Sequence, residues 1–489
     1  MKIHTSYSVK IKKDDGDHIA CYRAFEDTVK KYRQAVDFFI DVCLKEADTF
    51  SGTASSFDKL RKMEKMTVST KEHPHPAYDF GAGFYKFPCY LRRAAINEAI
   101  GKASSYFSLL ENWSNADPEI RGKKPGLPKA GFASPALYRD NTFVRPGDYT
   151  ARIKVWIRNT WDWISVQLKK GDVDYILHHC SDREECVPTL RKRGKEWFLD
   201  FGFEETVDLN EKPYEEQTIL AVDLGILNAC TVSVMKYDGT ILGRRFLKLP
   251  REQDCLNHAV NRIKKAQQHG AKKTPRLWAA ANGINDRIAV LTAQFIMDVS
   301  KEFKATTIVF EHLDKNGKKK GSKKQKLALW KSNYVQAMVS DKAHRLGIRI
   351  SRVNARNTSR LAFDGSGSVL RGRKDNRLQK SGSEEISLSG NQPSTKSETR
   401  KSAKEKEYEE SCKLKSYSIC KFKTGKVYNC DLNASYNIGA RYFIREILKS
   451  LPATVRLGIE AKVPECSKRN TCTLSTLINL NAGLTAISS

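Results

Sequence analysis

The sequence predicts a multidomain α+β protein in which an N-terminal β region, interrupted by helices, precedes an α/β domain. Three observations support this fold class. The chain has 489 residues, a length that corresponds to roughly two to four domains. Its first 210 residues combine strand-like alternation with long stretches of helical periodicity. From residue 218 onward, apolar strands are followed by amphipathic helices and a further strand, as in an α/β domain.

The N-terminal β region is predicted from segments at both ends of the first 210 residues. Residues 3–13 alternate like a strand, and WISVQL (163–168) and EWFLDFGFEE (196–205) are typical of further strands. Apolar residues three or four apart predict helices over 19–47 and about 83–113. The Gly- and Pro-rich stretch after the second helix predicts a connector.

The second domain is predicted to begin after the charged linker EKPYEEQ (211–217). Its first three strands are TILAVDL, ACTVSVM and ILGRRFLKL, and the turn signal YDGT joins the last two into a hairpin. The later elements are helices over 255–268 and 284–303, a buried strand over 306–310, and a final helix over 431–449. The last 40 residues carry little pattern, and 451–489 is therefore expected to be a C-terminal tail.

The charge of the chain points to a polyanionic partner. The formal net charge is +29 and the isoelectric point is near 9.5, which favours nucleic acid first and an anionic membrane surface second. No run reaches the ~18 apolar residues of a membrane span, so we expect a protein of the prokaryotic cytoplasm that acts at the nucleoid. The twelve cysteines include no Cys-x-x-Cys pair, which argues against both a zinc ribbon and a disulfide framework.

Two polar stretches lie in the second half of the chain. Eight lysines fall between 315 and 331 without an acid among them; they form either a solvated loop or a set of phosphate contacts. The candidate contacts are Lys318, Lys319, Lys320, Lys323 and Lys324. Residues 380–411 are mostly Ser, Lys, Glu, Thr and Gly, a composition typical of a flexible segment.

Three carboxylates occupy positions that suggest a metal site. Asp223 and Glu311 each end a predicted strand, and Asp431 opens the final helix. Taken singly, a strand-end acid is more often a salt-bridge partner, and a helix-opening Asp is more often an N-cap. If the strands are neighbours and the helix packs on the sheet, the acids converge and repel one another unless cations lie between them. Magnesium takes oxygen ligands of this kind, and two ions about 4 Å apart promote phosphodiester hydrolysis.

The order of these contexts is the pattern of an RNase H-like nuclease, and the surrounding residues make the resemblance definite. The segments AVDLGILNACTVSV, TTIVFEHLD and CDLNASYNIGARYF resemble the three RuvC motifs of TnpB proteins and of the compact type V CRISPR effectors. The third motif, in which D-x-N-A-x-x-N-I-G opens a helix, is the most specific. The resemblance covers about 217–448 well and the first 210 residues loosely.

The resemblance implies an RNA-guided DNA endonuclease. A guide RNA pairs with double-stranded target DNA, the protein reads a short flanking DNA motif, and a RuvC site cuts with two Mg²⁺ ions, with Mn²⁺ as a substitute. Asp223, Glu311 and Asp431 carry over as the catalytic metal ligands. The implied regions are a wedge-like β-barrel domain (1–18 and 117–210), a helical recognition region (19–116), a RuvC nuclease domain (211–350 and 431–450), an insertion that binds target nucleic acid (351–430), and the tail (451–489).

The chain departs from the family in the insertion between the second and third motifs. The family usually has a four-cysteine zinc ribbon there, but 354–367 has no cysteine, and Cys412, Cys420 and Cys430 do not have the spacing of zinc pairs. We therefore expect a degenerate ribbon without zinc. Arg356 and Arg360 in this insertion are candidate phosphate contacts, or ordinary surface arginines. A metal site formed by His178, His179, Cys180 and Cys186 is the weaker alternative.

Two other functions remain open at this stage. A non-cleaving, RNA-guided repressor would be favoured by loss of an acid, and none is lost. An unguided RNase H-like nuclease or recombinase would be active without RNA, but it leaves the large basic N-terminal half without a role. The sequence does not distinguish a transposon-derived guide from a CRISPR RNA, or a monomer from a homodimer.

Overall fold

The computed structural model describes residues 1–12, 18–52, 55–71, 73–119, 121–225, 228–313, 330–372, 411, 414 and 416–488. The chain divides into two compact units, one of residues Lys2–Thr206 and one of Met1 with Val207–Ser489. Both contain helices and strands, so the prediction of a multidomain α+β protein is confirmed.

The unit of Lys2–Thr206 contains two antiparallel sheets and six helices. Its strands are β1 (Lys2–Lys10), β2 (Phe143–Gly147), β3 (Thr150–Ile157), β4 (Thr160–Gln167), β5 (Glu184–Glu185), β6 (Thr189–Arg193) and β7 (Glu196–Thr206). Its helices are α1 (His18–Lys45), α2 (Ala47–Phe50), α3 (Ser56–Thr67), α4 (Phe80–Gly83), α5 (Cys89–Asn115) and α6 (Lys170–His179). One sheet joins β1, β5 and β6 to the long strand β7, and the other has the order β2-β3-β4. A closed barrel remains a prediction.

Two cores stabilise this unit. The long helices α1 and α5 pack together through buried side chains such as Phe39 and Leu91, and the ring of Phe80 stacks on Phe39 with centroids 4.9 Å apart. The second core lies between the sheets and the start of α1, around Phe25 and Trp197. Burial of such aromatic side chains contributes roughly 1.5–3 kcal/mol each.

Three elements of this unit differ from the sequence prediction. The helix expected over 83–113 begins only at Cys89, because Pro88 takes the N-cap position after a non-helical segment. The expected connector contains β2, which pairs with β3. Helix α6, which was not predicted, lies between the strand-like segments WISVQL and EWFLDFGFEE.

The unit of Val207–Ser489 is built on a five-stranded sheet. Its strands are β8 (Thr218–Asp223), β9 (Cys230–Lys236), β10 (Ile241–Leu247), β11 (Thr307–His312), β12 (Arg349–Asn354), and the short β13 (Leu370–Arg371), β14 (Ile419–Lys421) and β15 (Val427–Asn429). Its helices are α7 (Pro250–Gln268), α8 (Pro275–Glu302), α9 (Ser332–Arg345), α10 (Cys430–Ser450), α11 (Ala453–Lys462) and α12 (Leu474–Ser488). The main sheet has the order β10-β9-β8-β11-β12, and β13-β14-β15 form a separate small sheet. Strands β8, β9 and β10 are antiparallel, whereas β8, β11 and β12 run parallel.

Helices cover both faces of the main sheet. Successive side chains of β8 point to opposite faces: Leu220 and Val222 pack against α8 and α9, whereas Ile219 and Ala221 pack against α10. All four are fully buried. A strand buried on both faces reads as a continuous apolar run, which explains why TILAV has no alternation.

Several elements of this unit extend or complete the predicted set. Helices α7 and α8 begin with Pro250 and Pro275, ahead of the predicted starts, since proline suits the first helical turn. Helix α9 and strand β12 were not predicted. Residues 451–489, expected to be a tail, instead form α11 and α12, and Leu477 and Leu480 of α12 are buried in the core shared with α10. Across the described residues, every helix is too short or too polar to cross a lipid bilayer.

Candidate active site

Two of the candidate acids lie side by side at the carboxyl ends of parallel strands. Phe310 of β11 pairs with Val222 of β8 in parallel register, so Glu311 and Asp223 occupy the next position on each strand. By alternation, Asp223 shares the face of Ile219 and Ala221, the face covered by α10. Glu311 shares that face because Val309, two residues earlier, belongs to the same core.

The third candidate acid, Asp431, enters from the helix that covers this face. It lies in the first turn of α10, but it is not the cap: the side chain of Asn429 accepts the backbone N–H groups of Asp431 and Leu432, at 3.0 and 2.9 Å. The Asp431 carboxylate is therefore available for another role. Its Oδ2 atom accepts a hydrogen bond of 2.6 Å from Nδ2 of Asn228, in the loop that follows Asp223.

The charges of Glu311 and Asp431 both act on Asp223. Burial is the main cause that raises the pKa of Asp223 well above its usual range, and the negative charges of Glu311 and then Asp431 raise it further. The cation of Arg371 on β13 partly offsets this rise. The structure therefore brings Asp223, Glu311 and Asp431 into one electrostatic site, and their assignment as catalytic residues remains a proposal.

Glu311 has its own partners in the site. Burial raises the pKa of its carboxyl, while a hydrogen bond from the hydroxyl of Thr358 and the charge of Arg441 oppose that rise. Its backbone oxygen accepts a hydrogen bond of 3.1 Å from Nε2 of Gln336 on α9. These contacts fix both the end of the strand and the direction of its side chain.

The carboxylates fit a divalent metal in their chemistry, although not yet in their arrangement. Among the described residues, no group of three or more His, Cys, Asp or Glu side chains is placed to hold a metal ion. Asp431 and Glu311 are instead held by the Asn228 amide and the Thr358 hydroxyl. Oxygen-only donors with mutual repulsion suit Mg²⁺. The two hydrogen bonds engage Oδ2 of Asp431 and Oε1 of Glu311, so the other oxygen of each carboxylate is the candidate ligand.

The two asparagines of the third motif fasten a loop beside the acids. Asn433 accepts the N–H of Phe363 and donates to the carbonyl of Leu361, both at 2.8 Å. Asn437 donates to the carbonyls of Thr358 and Leu361, both at 2.9 Å, and both asparagines are fully buried. The motif spacing of four residues therefore places two amides on one side of α10, where they hold the loop that carries the Thr358 hydroxyl.

Three contacting residues were missed by the sequence analysis: Asn228, Thr358 and Arg371. Asn228 had a signal, because it ends the segment AVDLGILN that follows the first strand. Thr358 and Arg371 had none, since only the tertiary structure brings the insertion to the strand ends.

The other candidate residues either lie on the protein surface or fall outside the described residues. Arg356 and Arg360 are exposed, in the turn that contains Thr358, and their role as phosphate contacts remains a prediction. Lys318, Lys319, Lys320, Lys323 and Lys324, the stretch 380–410 and Cys412 lie outside the described residues. The buried thiols of Cys420 and Cys430 interact by a hydrogen bond in the small core under the β13-β14-β15 sheet.

A cavity of about 110 Å³ adjoins the strand that carries Asp223. Leu224 and Gly225, directly after that strand, form one wall, and side chains of α7, α8 and α9 form the others. Two polar atoms in its lining, Nδ2 of Asn285 and Oγ of Ser332, are buried without a hydrogen-bond partner. The site thus has an apolar recess beside its acids, with two unsatisfied polar groups in the wall.

Comparison with known proteins places the chain in a family. Residues 5–157 match the model of the Aq_aa04 family. An uncharacterised protein of Aquifex aeolicus (strain VF5), aq_aa04, is 35% identical over 133 residues, which are 25% of this chain and 73% of that protein. The chain belongs to the Aq_aa04 family.

The Aq_aa04-family protein is also similar to a TnpB-like protein of the same organism. The TnpB-like protein aq_aa05 of Aquifex aeolicus (strain VF5) is 27% identical over 173 residues, which are 31% of this chain and 56% of that protein. This relative confirms the TnpB resemblance predicted from the motifs. The match spans little more than half of the TnpB-like protein, so the activity of the whole protein remains a proposal.

Two solved structures match most of the chain at low TM-scores. A Cas12f1-sgRNA-target DNA complex matches with a TM-score of 0.46 and 14% identity, over 86% of this chain and 83% of that chain. An AacC2c1-sgRNA binary complex matches with a TM-score of 0.38 and 10% identity, over 84% and 65%. TM-scores of 0.46 and 0.38 support no conclusion about function.

Proposed function

We propose that the Aq_aa04-family protein is an RNA-guided DNA endonuclease of the TnpB and type V kind, with a RuvC active site formed by Asp223, Glu311 and Asp431. The observation that carries the proposal is the convergence of these acids on one face of the sheet, at the ends of two adjacent parallel strands and the start of the covering helix. The TnpB-like relative and the net charge of +29 support the nucleic-acid substrate.

The three carboxylates would hold Mg²⁺, with Mn²⁺ as a substitute. Such ions activate water and stabilise the leaving oxygen of a phosphodiester. The chain supplies the frame for them. Asn228 orients Asp431, and Thr358 orients Glu311, through the hydrogen bonds described above. Arg371 supplies a positive charge that acts on Asp223. There it would partly neutralise the negative charge of the carboxylates and of a bound phosphate.

The guide RNA would provide sequence specificity by base pairing, while the protein reads a short flanking DNA motif. The unit of Lys2–Thr206 is the candidate for these contacts. Basic side chains lie over aromatic rings there: Arg152 and Lys154 over Trp163, and Lys31 over Trp156. Such pairs suit contacts with phosphates and bases. The wedge-like and recognition roles of the subregions are part of this proposal.

The cleavage proposal is tested with single substitutions in the purified ribonucleoprotein. Asp223→Ala, Glu311→Ala and Asp431→Ala should each reduce target-DNA cleavage by at least about 100-fold, because each removes a metal ligand, while binding of the target stays within about twofold. Asp254→Ala, at an exposed position of α7, is the matched control and should cleave normally. Full cleavage by the Asp223→Ala protein would refute the assignment.

Guidance is tested by sequencing the RNA that copurifies with the protein from cells that carry its native locus. A discrete structured RNA with one variable end supports the guided function, and the match of that end to a transposon flank or a repeat–spacer array identifies its source. Random RNA, together with cleavage that persists after RNase treatment, would instead support an unguided nuclease. Bound guide RNA without any cleavage would support the RNA-guided repressor.

A further inference from the structure

A second cavity lies within the unit of Val207–Ser489, and none of the three acids assigned to catalysis lines it. Its volume is about 230 Å³, and its walls come from β12, α10, α11 and the segment before α12. Six cationic side chains line it: Arg352, Arg441, Arg445, Lys449, Arg456 and Arg469. No carboxylate belongs to the lining. We call this cavity the arginine pocket.

Carboxylates near the arginine pocket compensate only part of its charge. Glu446 pairs with Arg445 at 2.8 Å and with Lys449 at 3.6 Å. On α11, Glu460 pairs with Arg456 at 2.9 Å. The carboxylates of these pairs are only 20–21% exposed. The other three cations of the pocket form no salt bridge with an acid that the structure describes.

The three remaining cations have neutral partners or none. Arg352 donates from Nε to the amide oxygen of Gln336 at 2.9 Å. Arg469 is exposed and forms no ion pair with any residue that the structure describes. The pocket therefore carries a positive charge that other parts of the described chain do not neutralise.

Arg441 forms the buried part of the pocket. Only 5% of the residue is exposed, and its guanidinium donates four hydrogen bonds of 2.7–3.1 Å, all to backbone carbonyls: those of Asn354, Arg356, Asn470 and Cys472. These bonds fix the guanidinium plane but bring no negative charge. The acid whose charge acts on Arg441 is Glu311. A buried cation is costly, so an anion bound in the pocket would stabilise Arg441 beyond what the charge of Glu311 contributes.

The chemistry of the lining selects the kind of anion. Guanidinium groups bind phosphate and carboxylate oxygens through paired N–H donors, and the pocket has five of them around one small volume. The two cysteines of the lining add no charge, since burial raises the pKa of Cys466 to about 12 and that of Cys472 above its usual value. One water needs roughly 10–15 Å³ of such space, so a cavity of about 230 Å³ has room for a phosphate group with some of its waters but not for a duplex.

We propose that the arginine pocket binds a phosphate dianion that carries at most one ester bond. Such a group can come from the 5′-phosphorylated end of a nucleic-acid strand or from free phosphate. Both sources present three oxygens to the guanidinium donors, which a phosphate inside a strand does not. The proposal does not rest on the nuclease function, because none of Asp223, Glu311 and Asp431 lines the pocket, although the charge of Arg441 also acts on Glu311.

The proposal is tested by calorimetric titration of the full-length, metal-free protein with inorganic phosphate, at about 0.15 M salt to screen weak surface contacts. The informative variant is Arg352→Gln/Arg469→Gln, because both side chains are exposed and neither holds the backbone together. Arg262→Gln/Arg276→Gln is the control, with the same loss of charge at exposed positions of α7 and α8. We expect saturable binding that weakens at least tenfold in the first variant and less than twofold in the control.

The source is identified with a short oligonucleotide carrying either a 5′-phosphate or a 5′-hydroxyl. If the pocket receives a strand end, the phosphorylated oligonucleotide binds at least tenfold more tightly, and Arg352→Gln/Arg469→Gln removes the difference. If it receives free phosphate, inorganic phosphate binds but the two oligonucleotides do not differ. Absence of saturable phosphate binding, or an equal loss in the two double variants, would overturn the proposal, whereas failure of DNA cleavage would not affect it.

Discussion

The buried amide of Asn437 offers a direct test of how the third motif supports the site. In Asn437→Ala, the backbone carbonyl of Thr358 and the N–H of Leu474 lose their bonds to the side chain, of 2.9 and 3.2 Å. The carbonyl of Leu361 keeps its bond from Asn433. Two buried backbone groups are thus left unsatisfied, each at about 1–3 kcal/mol. We expect the free energy of unfolding to fall by about 2–6 kcal/mol, to which the loss of the side chain adds a small cavity term.

The change is measured by urea denaturation, followed by hydrogen exchange with peptide resolution. We expect a lower transition midpoint and faster exchange in the peptide that contains Leu474, whose amide loses its acceptor. Asn261→Ala, at an exposed position of α7, is the control and should change stability by less than about 0.5 kcal/mol. A loss below about 1 kcal/mol for Asn437→Ala, with unchanged exchange at Leu474, would refute the view that this asparagine fastens the loop to α10.

Three further outcomes follow from the same site. Gly439→Val should destabilise the fold by about 1–3 kcal/mol in thermal melts, because a Cβ atom added at this glycine would lie 3.0 Å from the sulfur of Met235. A neutral effect would contradict the close packing of α10. Asp223→Asn should raise the melting temperature of the metal-free protein at pH 7. Because the pKa of Asp223 is raised in the folded protein, its ionisation lowers stability as pH rises from about 4. The rise in melting temperature should therefore vanish toward pH 4. A rise that does not depend on pH would show that ionisation of Asp223 is not its cause. Asn228→Ala should slow cleavage by about tenfold without loss of DNA binding, since Asp431 loses its 2.6 Å partner; unchanged single-turnover rates would exclude that role.

The sequence identified the strand ends and the helix of the site because those elements have strong local signals. The apolar run ILAV predicts a buried strand even when the neighbouring strands are unknown. The turn in YDGT and the spacing of Asn433 and Asn437 are local signals of the same kind. The starts of α7 and α8 were placed too late, because the prolines that open them were not used as start signals. Helices α11 and α12 were missed, since their burial depends on contacts of α12 with α10 and of α11 with α12 rather than on their own pattern.

The sequence by itself determined which acids to consider, the strands and helix that carry them, and the excess of positive charge. It could not determine which acids meet, because that depends on the parallel register of β8 with β11 and on the face that α10 covers. Only the tertiary structure brought Thr358 and Arg371 to those acids. It alone gathered the six cations of the arginine pocket, which are spread between Arg352 and Arg469 in the sequence. The physical reason is that local propensity depends on neighbours in the chain, whereas charge coupling and hydrogen bonds across elements depend on distances that packing alone fixes.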